Sequence, residues 1–576
     1  MRTVEEIKDL IKWLKQDVYA QLFEQHEMVE KLYNLEYPVN IPVGTKPIRP
    51  ATPRINLDAA IQHVPTDKPR VRVPTLSESA QGQTLAEKLI KLYLGLLYRW
   101  RVESEQPPFD IMVKSGFVYG VLAGKTLYDP KAYPDGEEKN FEDRRREAMP
   151  ILLLPVHPRN FLPDPSPRPQ YAAESCEKLV AAVKQTFPGF QTDKRDTDHI
   201  MWDEYWDNEI YCYLADDEPV LEGKVQKHEY GFNPYVWTFS GYGLETANRD
   251  PCKRAVGLLR YLEETIKEDG ARWTQNHEIN TYQAWPTKYL IGAENQTLPD
   301  IAQGGIQPGM IIPLPAGTQI VDHQPGSPSI AIQGEMMLLK EMQEDAVAPR
   351  SVRGLSEAGT RSGYQRALNV MEARLRYGPI IDAINRLASR ILGNCARLIE
   401  YKLPGPITVW GKGYDGKPME EIVNPTDIKG HYICEVEFAP AEAEDDYRKA
   451  QMGANLRQAE VISQETAMSR YAGVPNPSEE QVQILVEKLI NSPMAQAQMQ
   501  QMLAMKLSQE LQARQTKEGI PAEVPPVMAS PSQPTPQGIL APQPLPGTPP
   551  QQPRPFSPEE AERLITEEAN KLRRGT

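Results

Sequence analysis

The sequence predicts an α+β protein that is mostly α-helical and divided into several units. Apolar residues recur at helical spacing over long stretches, as in Val256, Leu259, Leu262 and Ile266, or in Leu368, Met371, Leu375, Ile384, Leu387, Ile391, Cys395 and Leu398. Alternating, strand-like runs are shorter and concentrate between residues 151 and 240. The chain of 576 residues is too long for one core, and at about 150 residues per domain roughly three or four units are expected.

Taken in order, residues 1–80 hold an N-terminal helix over 3–36, with Ile7, Leu10, Ile11, Leu14, Val18 and Leu22 on one face, and a proline-rich arm from Pro38 to Pro74 that should lie extended. Residues 81–250 mix helices (Thr84–Arg101, Phe109–Val121, and one near Glu174–Thr186) with strands at Thr126–Tyr128, Ile151–Val156 and around Ile200–Leu214. A long helix is predicted over 251–281, with Pro251 near its start. The stretch 282–329 is dense in Gly and Pro, with strand-like islands at Lys288–Ile291, Met310–Leu314 and Gln319–Val321, and reads as a compact β-rich insert. A second helix over 330–347 leads out of it, followed by a loop at 348–363 containing Gly354, Gly359 and Gly363. Region 364–442 opens with a helix to Leu403, kinked at Pro379, and continues in strands at Ile407–Trp410 and Tyr432–Phe438. Helices fill 443–519, the last of them rich in Gln and carrying Met494, Met499, Met502 and Met505. Residues 520–556 are Pro-, Gln- and Ser-rich with too little apolar surface to fold, and 557–576 form a final helix capped at Ser557-Pro-Glu-Glu560.

Composition narrows the function classes. The net charge of -14 argues against a sequence-wide electrostatic grip on nucleic acid, which rests on Lys and Arg replacing phosphate counterions, so any DNA contact must be local. The five cysteines, Cys176, Cys212, Cys252, Cys395 and Cys434, stand singly, which points away from structural zinc and from a disulfide framework. No apolar run approaches the roughly 20 residues a membrane helix needs, and the expectation is a product of a reducing compartment with no membrane partner.

The order of elements from Pro251 to Glu480 resembles the core of tailed-bacteriophage portal proteins. Similar texture occurs at Val156-His-Pro-Arg-Asn-Phe-Leu-Pro-Asp-Pro165, Ser362-Gly-Tyr-Gln-Arg-Ala367, Val436-Glu-Phe-Ala-Pro440, Val461-Ile-Ser-Gln-Glu-Thr466 and Gly473-Val-Pro-Asn-Pro477, so the resemblance covers about residues 80–490. It implies a wing (81–250 and 364–442), stem helices (251–281 and 330–347), a clip (282–329), a tunnel loop (348–363) and a helical crown (443–519). It also implies a non-enzymatic, cofactor-free subunit of a homo-oligomeric ring, a dodecamer, at one capsid vertex of the virion. Such a ring conducts double-stranded DNA without reading its sequence. It meets the terminase large subunit, a head-tail adaptor, and the major capsid and scaffold proteins.

Other motifs have plainer explanations. Gly120-Val-Leu-Ala-Gly-Lys-Thr126 has three residues, not four, between its first Gly and the Gly-Lys pair, so it lacks the spacing of a phosphate-binding loop. Gly241-Tyr-Gly243 lacks the third glycine of a dinucleotide fingerprint. Glu442, Glu444, Asp445 and Asp446 support an alternative, a metal-dependent enzyme of phage DNA metabolism, although acidic residues in a first helical turn are better explained by the helix dipole. The candidate site is instead a basic one. Between Arg350 and Arg376 lie six arginines against Glu357 and Glu372. Arg366, Arg374 and Arg376 are expected to pair with carboxylates along the helix, whereas Arg350, Arg353 and Arg361, in a Gly-rich loop, are the candidate DNA contacts.

Overall fold

The computed structural model describes most of residues 2–485, except 43–44, 75–79, 135–140, 222–223, 287, 292–308, 315–329, 351–352, 354–374, 414–417, 439–442, 460, 465–466, 473–479 and 482–483. The fold is α+β, about 50% helical and 19% strand. Met1–Glu480 form one compact unit and Gln481–Thr576 a second, which lies almost wholly outside the described residues. The expected linker at 520–556, the C-terminal helix and the Met494–Met505 series fall there.

Helix α1 (Val4–Trp13) opens with a reciprocal cap in which the Thr3 hydroxyl accepts from the Glu6 amide while the Glu6 carboxylate accepts from the Thr3 amide. A π-helical turn, Leu14–Val18, shifts the register before α2 (Ala20–Asn34). The arm expected to be extended from Pro38 to Pro74 is partly folded, because Pro53 sits in the first turn of α3 (Thr52–Gln62), where its fixed φ suits a helix start, and Leu57 and Ala60 are buried. Strand β1 (Pro69–Arg72) follows. Next come α4 (Ala80–Glu103) and α5 (Pro108–Tyr119), and Gly120, left-handed at φ 77, ends α5 and turns the chain into β2 (Val121–Tyr128).

Beyond α6 (Phe141–Glu147) the chain runs through β3 (Ile151–Pro155), β4 (Phe161–Pro163) and β5 (Ala172–Leu179), then α7 (Val180–Thr186). The helix expected near Glu174–Thr186 therefore starts only at Val180. Residues 172–179 pair over their whole length with β6 (His199–Trp206), and this long-range ladder overrides a local sequence with no clear alternation. Strands β7 (Ile210–Ala215), β8 (Glu218–Pro219) and β9 (Gln226–Lys227) complete a six-stranded antiparallel sheet that includes β4 and β5. β10 (Tyr235–Phe239) joins β2 and β3 in a separate three-stranded sheet. Ile7, Ile11 and Leu14 pack with Phe161, Leu162, Tyr205, Cys212 and Leu214 in one apolar cluster.

The continuous helix expected from Pro251 to Thr281 is interrupted. A single turn, α8 (Pro251–Arg254), is followed by a non-helical stretch and a 3-10 turn, Arg260–Leu262, before α9 (Glu263–Ala284). Gly257 explains the break. Here the backbone runs against the end of α5, with the Leu258 amide donating to the Phe117 carbonyl at 2.9 Å, and a Cβ on Gly257 would overlap the Val118 carbonyl. The chain then passes through β11 (Lys288–Ile291) and β12 (Ile311–Leu314) to α10 (Ile330–Val347).

Helix α11 (Gly378–Lys402) is the spine of the larger core: Ile380, Ile384, Leu387, Ile391 and Leu398 are fully buried among Leu92 and Leu96 of α4 and Phe117 of α5. The helical run is interrupted just before Pro379. Arg376 and Tyr377 form a turn and Pro379 is the second residue of the new helix, where its missing amide costs nothing; residues 364–374 lie outside the described set. Strands β13 (Ile407–Lys412) and β14 (Pro418–Val423) form a hairpin, and a short helix α12 (Pro425–Ile428) leads to β15 (Glu435–Phe438), which pairs antiparallel with β1. Helix α13 (Ala443–Gln458) is followed by a π-helical turn, Ala467–Tyr471.

Candidate functional site

Helices α9 and α10 form a hairpin, with the strand pair β11–β12 between them in the chain. Asp269 of α9 accepts a hydrogen bond from Gln343 Nε2 of α10 at 3.0 Å, and Arg272 of α9 reaches Glu335 of α10 at 3.1 Å, so the two helices run antiparallel. The hairpin is rooted at one end. Ile266, Asp269, Gly270 and Thr274 of α9 are buried, as are Gln343, Glu344 and Val347 of α10, and the Tyr377 hydroxyl donates to the Val347 carbonyl at 2.8 Å. Gly270 leaves room for the Tyr37 ring to lie against α9. Away from this root several apolar side chains are uncovered: Trp285 is 67% exposed, Ile330 88% and Met337 74%, although Ile312 of the strand pair is buried.

At the far end β11 and β12 pair in parallel, Lys288 opposite Ile311 through Ile291 opposite Leu314. Gly309, at φ 77, donates to the Trp285 carbonyl at 2.7 Å and closes the strand pair onto the end of α9. The third island expected at Gln319–Val321 lies outside the described residues.

Charge at the root is costly. Asp269 is 1% exposed and its second oxygen has no donor among the described residues, so burial raises its pKa above the ordinary carboxylate value, opposed in part by the Gln343 bond. Glu344 forms an ion pair with Arg353 at 2.6 Å; the approach is close but the N–H vectors miss the oxygen, so the attraction is that of two charges without a well-aligned hydrogen bond.

The three loop arginines thus stand in different situations. Arg350 is exposed, Arg353 is mostly covered and bound to Glu344, and Arg361 lies outside the described residues, as do Arg366 and Arg374. Arg376, expected to pair with a carboxylate, donates to the Asp345 backbone carbonyl. Glu442 lies outside the described residues, and so do the side chains of Glu444, Asp445 and Asp446. In the Gly120–Thr126 segment, Lys125 is buried in β2 against Glu204, with the Trp206 and Tyr235 rings 5.0 Å from its Nζ. Burial pulls its ammonium down to about 7, against the opposing pull of Glu174.

Sequence reasoning missed Asp269 and Gln343. A signal was present, since Asp269 follows Ile266 by three residues and so falls on the apolar stripe of α9, where a charged residue needs a partner. No family model and no curated protein matches the chain.

Proposed function

We propose that the chain is the portal subunit of a tailed bacteriophage, a non-enzymatic protein that closes into a ring, by resemblance a dodecamer, around a channel for double-stranded DNA. The observation that carries the reading is the rooted helix–strand pair–helix hairpin, α9 to α10, which stands in the order and place that stem and clip would take. Its uncovered Trp285, Ile330 and Met337 fit a surface that neighbouring copies would bury, because apolar area gains stability when removed from water. The strand pair at the far end would be the platform on which the terminase large subunit docks during packaging and a head-tail adaptor afterwards. Arg350 remains an exposed cation beside the root, where it would meet phosphates. Capsid and scaffold proteins would surround the ring at one vertex of the virion.

Deleting 282–329 tests the reading: rings should still assemble from the rest of the subunit while packaging is abolished. Normal packaging by the deletion would remove the docking role, and loss of apolar exposure without any higher-order assembly in the parent would remove the ring.

A further inference from the structure

A second charged feature lies on α11, away from the hairpin. Arg386, Arg390 and Arg397 share one face of this helix to within roughly 40°, and at 1.5 Å per residue their stripe runs about 16 Å along the axis. Two adjoining clefts, of about 630 and 450 Å³, open over the stripe and share Ser389, Arg390 and Cys434. Arg386 and Arg390 line the larger and Arg390 and Arg397 the smaller.

These cations differ from their neighbours. Arg70 and Arg72 of β1 also border the larger cleft, but they stand opposite Glu437 and Glu435 in the β1–β15 register, and Arg72 reaches Glu437 at 3.7 Å. Among the described residues no carboxylate lies within ion-pair distance of Arg386, Arg390 or Arg397, not even Asp382 one turn before Arg386. The Arg390 guanidinium donates to the Trp237 carbonyl at 3.1 Å, and Arg397 lies over Phe232 and Tyr432 at 5.5 and 5.0 Å from the ring centroids. Gly393, on the same face, allows the Tyr432 backbone to approach closely enough for that ring to reach Arg397. Two of the three side chains are therefore held in place while most of their N–H donors keep no protein acceptor. Arg390 keeps solvent access, yet the cleft walls desolvate its guanidinium enough to push its pKa down, an effect that an arriving anion would oppose.

We propose that the Arg386–Arg390–Arg397 stripe binds the phosphodiester backbone of double-stranded DNA. The choice of DNA rests on the conduit reading above. Its length spans roughly five base-pair steps at 3.4 Å, over which a duplex presents closely spaced phosphates of both strands, so the two held guanidinium groups and the unbonded Arg386 reach phosphates without a sequence-set register. An acidic peptide would need carboxylates matched to their uneven spacing. Nothing in the stripe reads bases, so binding is independent of sequence and sensitive to salt. Three phosphate contacts give a log–log salt slope of about -2.7, a loss near 40-fold between 50 and 200 mM.

The test is a titration of full-length protein into a labelled 30-base-pair duplex across that salt range, with mass by light scattering on the same samples. The triple change Arg386→Gln, Arg390→Gln, Arg397→Gln should make the slope shallower by about 2.7, Arg386→Gln alone by about 0.9, and three Lys substitutions should leave it near the parent value. Arg386 makes no internal polar contact among the described residues, so its single variant does not depend on refolding of the cleft. An unchanged slope in both Gln variants overturns the proposal. So does loss of affinity for polyglutamate but not for DNA, which would make the stripe a docking site for acidic peptide. Collapse of the assembly in the triple Gln variant, with the Lys variant still assembled, would make it a contact between subunits instead. A parent that forms no ring but whose salt slope still depends on these arginines would refute the portal reading and leave the site standing.

Discussion

Asp269→Asn should stabilise the protein at neutral pH. The carboxylate sits 1% exposed at the root of the α9–α10 hairpin, with one oxygen bonded to Gln343 Nε2, while among the described residues its other oxygen has no donor and Gln343 Oε1 no partner. An amide of the same shape removes the buried charge, keeps an acceptor for Gln343 Nε2, and replaces the unfilled Asp269 oxygen with N–H donors near the unfilled Gln343 Oε1. An unsatisfied buried polar group costs about 1–3 kcal/mol, more when charged, so a gain of about 1–3 kcal/mol is expected at pH 7. The pH dependence follows from the raised pKa of Asp269. In the unfolded chain the group titrates near about 3.9, below its folded value, so between the two the folded state binds more protons. Parent stability therefore falls as pH rises through that window, and below it the advantage of Asn disappears. Denaturant unfolding of parent and variant from pH 3 to 8 reads this directly. A variant less stable than the parent at pH 7, or a difference independent of pH, would show that the carboxylate is satisfied as an ion and refute the reasoning.

Further outcomes concern the frame that holds the hairpin and the charges beside it. Gly257→Ala and Gly120→Ala should each cost about 3 kcal/mol or more, since the new Cβ would overlap backbone where α5 meets residues 255–258 and Gly120 is also left-handed; unfolding midpoints close to the parent would contradict the close approach. Lys125→Met should cost about 3–5 kcal/mol by leaving Glu204 buried with only the Trp206 indole donor at 2.6 Å, and adding Glu204→Gln should recover part of it; additive losses in the double-mutant cycle would deny the pairing. Arg353→Ala should destabilise by about 1–3 kcal/mol through Glu344, whereas Arg350→Ala, at an exposed position, should stay within about 0.5 kcal/mol; equal effects in thermal unfolding would mean that the Glu344 pair contributes nothing.

The elements legible from sequence were those whose burial pattern is local. Helix α10 spans the residues that its periodicity indicated, α11 shows the expected apolar face, and β11 and β12 fall on two of the islands marked in the insert. The misreadings share one cause, which is contact between residues distant in sequence. Strand β5 is specified by its ladder with β6, α3 by burial of Leu57 and Ala60, and the break before α9 by backbone pressed against α5 at Gly257. Pro379 was recognised as a disruption but not as a helix start, because its effect depends on whether the preceding turn continues, and Arg376 and Tyr377 leave the helix. At the candidate site, the helix–insert–helix order was readable, while the state of each arginine was not. Arg353 meets Glu344 nine residues upstream across the end of a helix, and the stripe on α11 stands out only once β1 and β15 show which neighbouring cations are already paired.

The central claim, that copies of this chain close into a ring around a DNA channel, is tested most directly by imaging the purified full-length protein by negative stain and weighing the same sample by light scattering. The account predicts circular particles with a central hole and a mass many times the 65.0 kDa subunit, about 780 kDa for twelve copies. A single species at 65.0 kDa with no rings at micromolar concentration would contradict it.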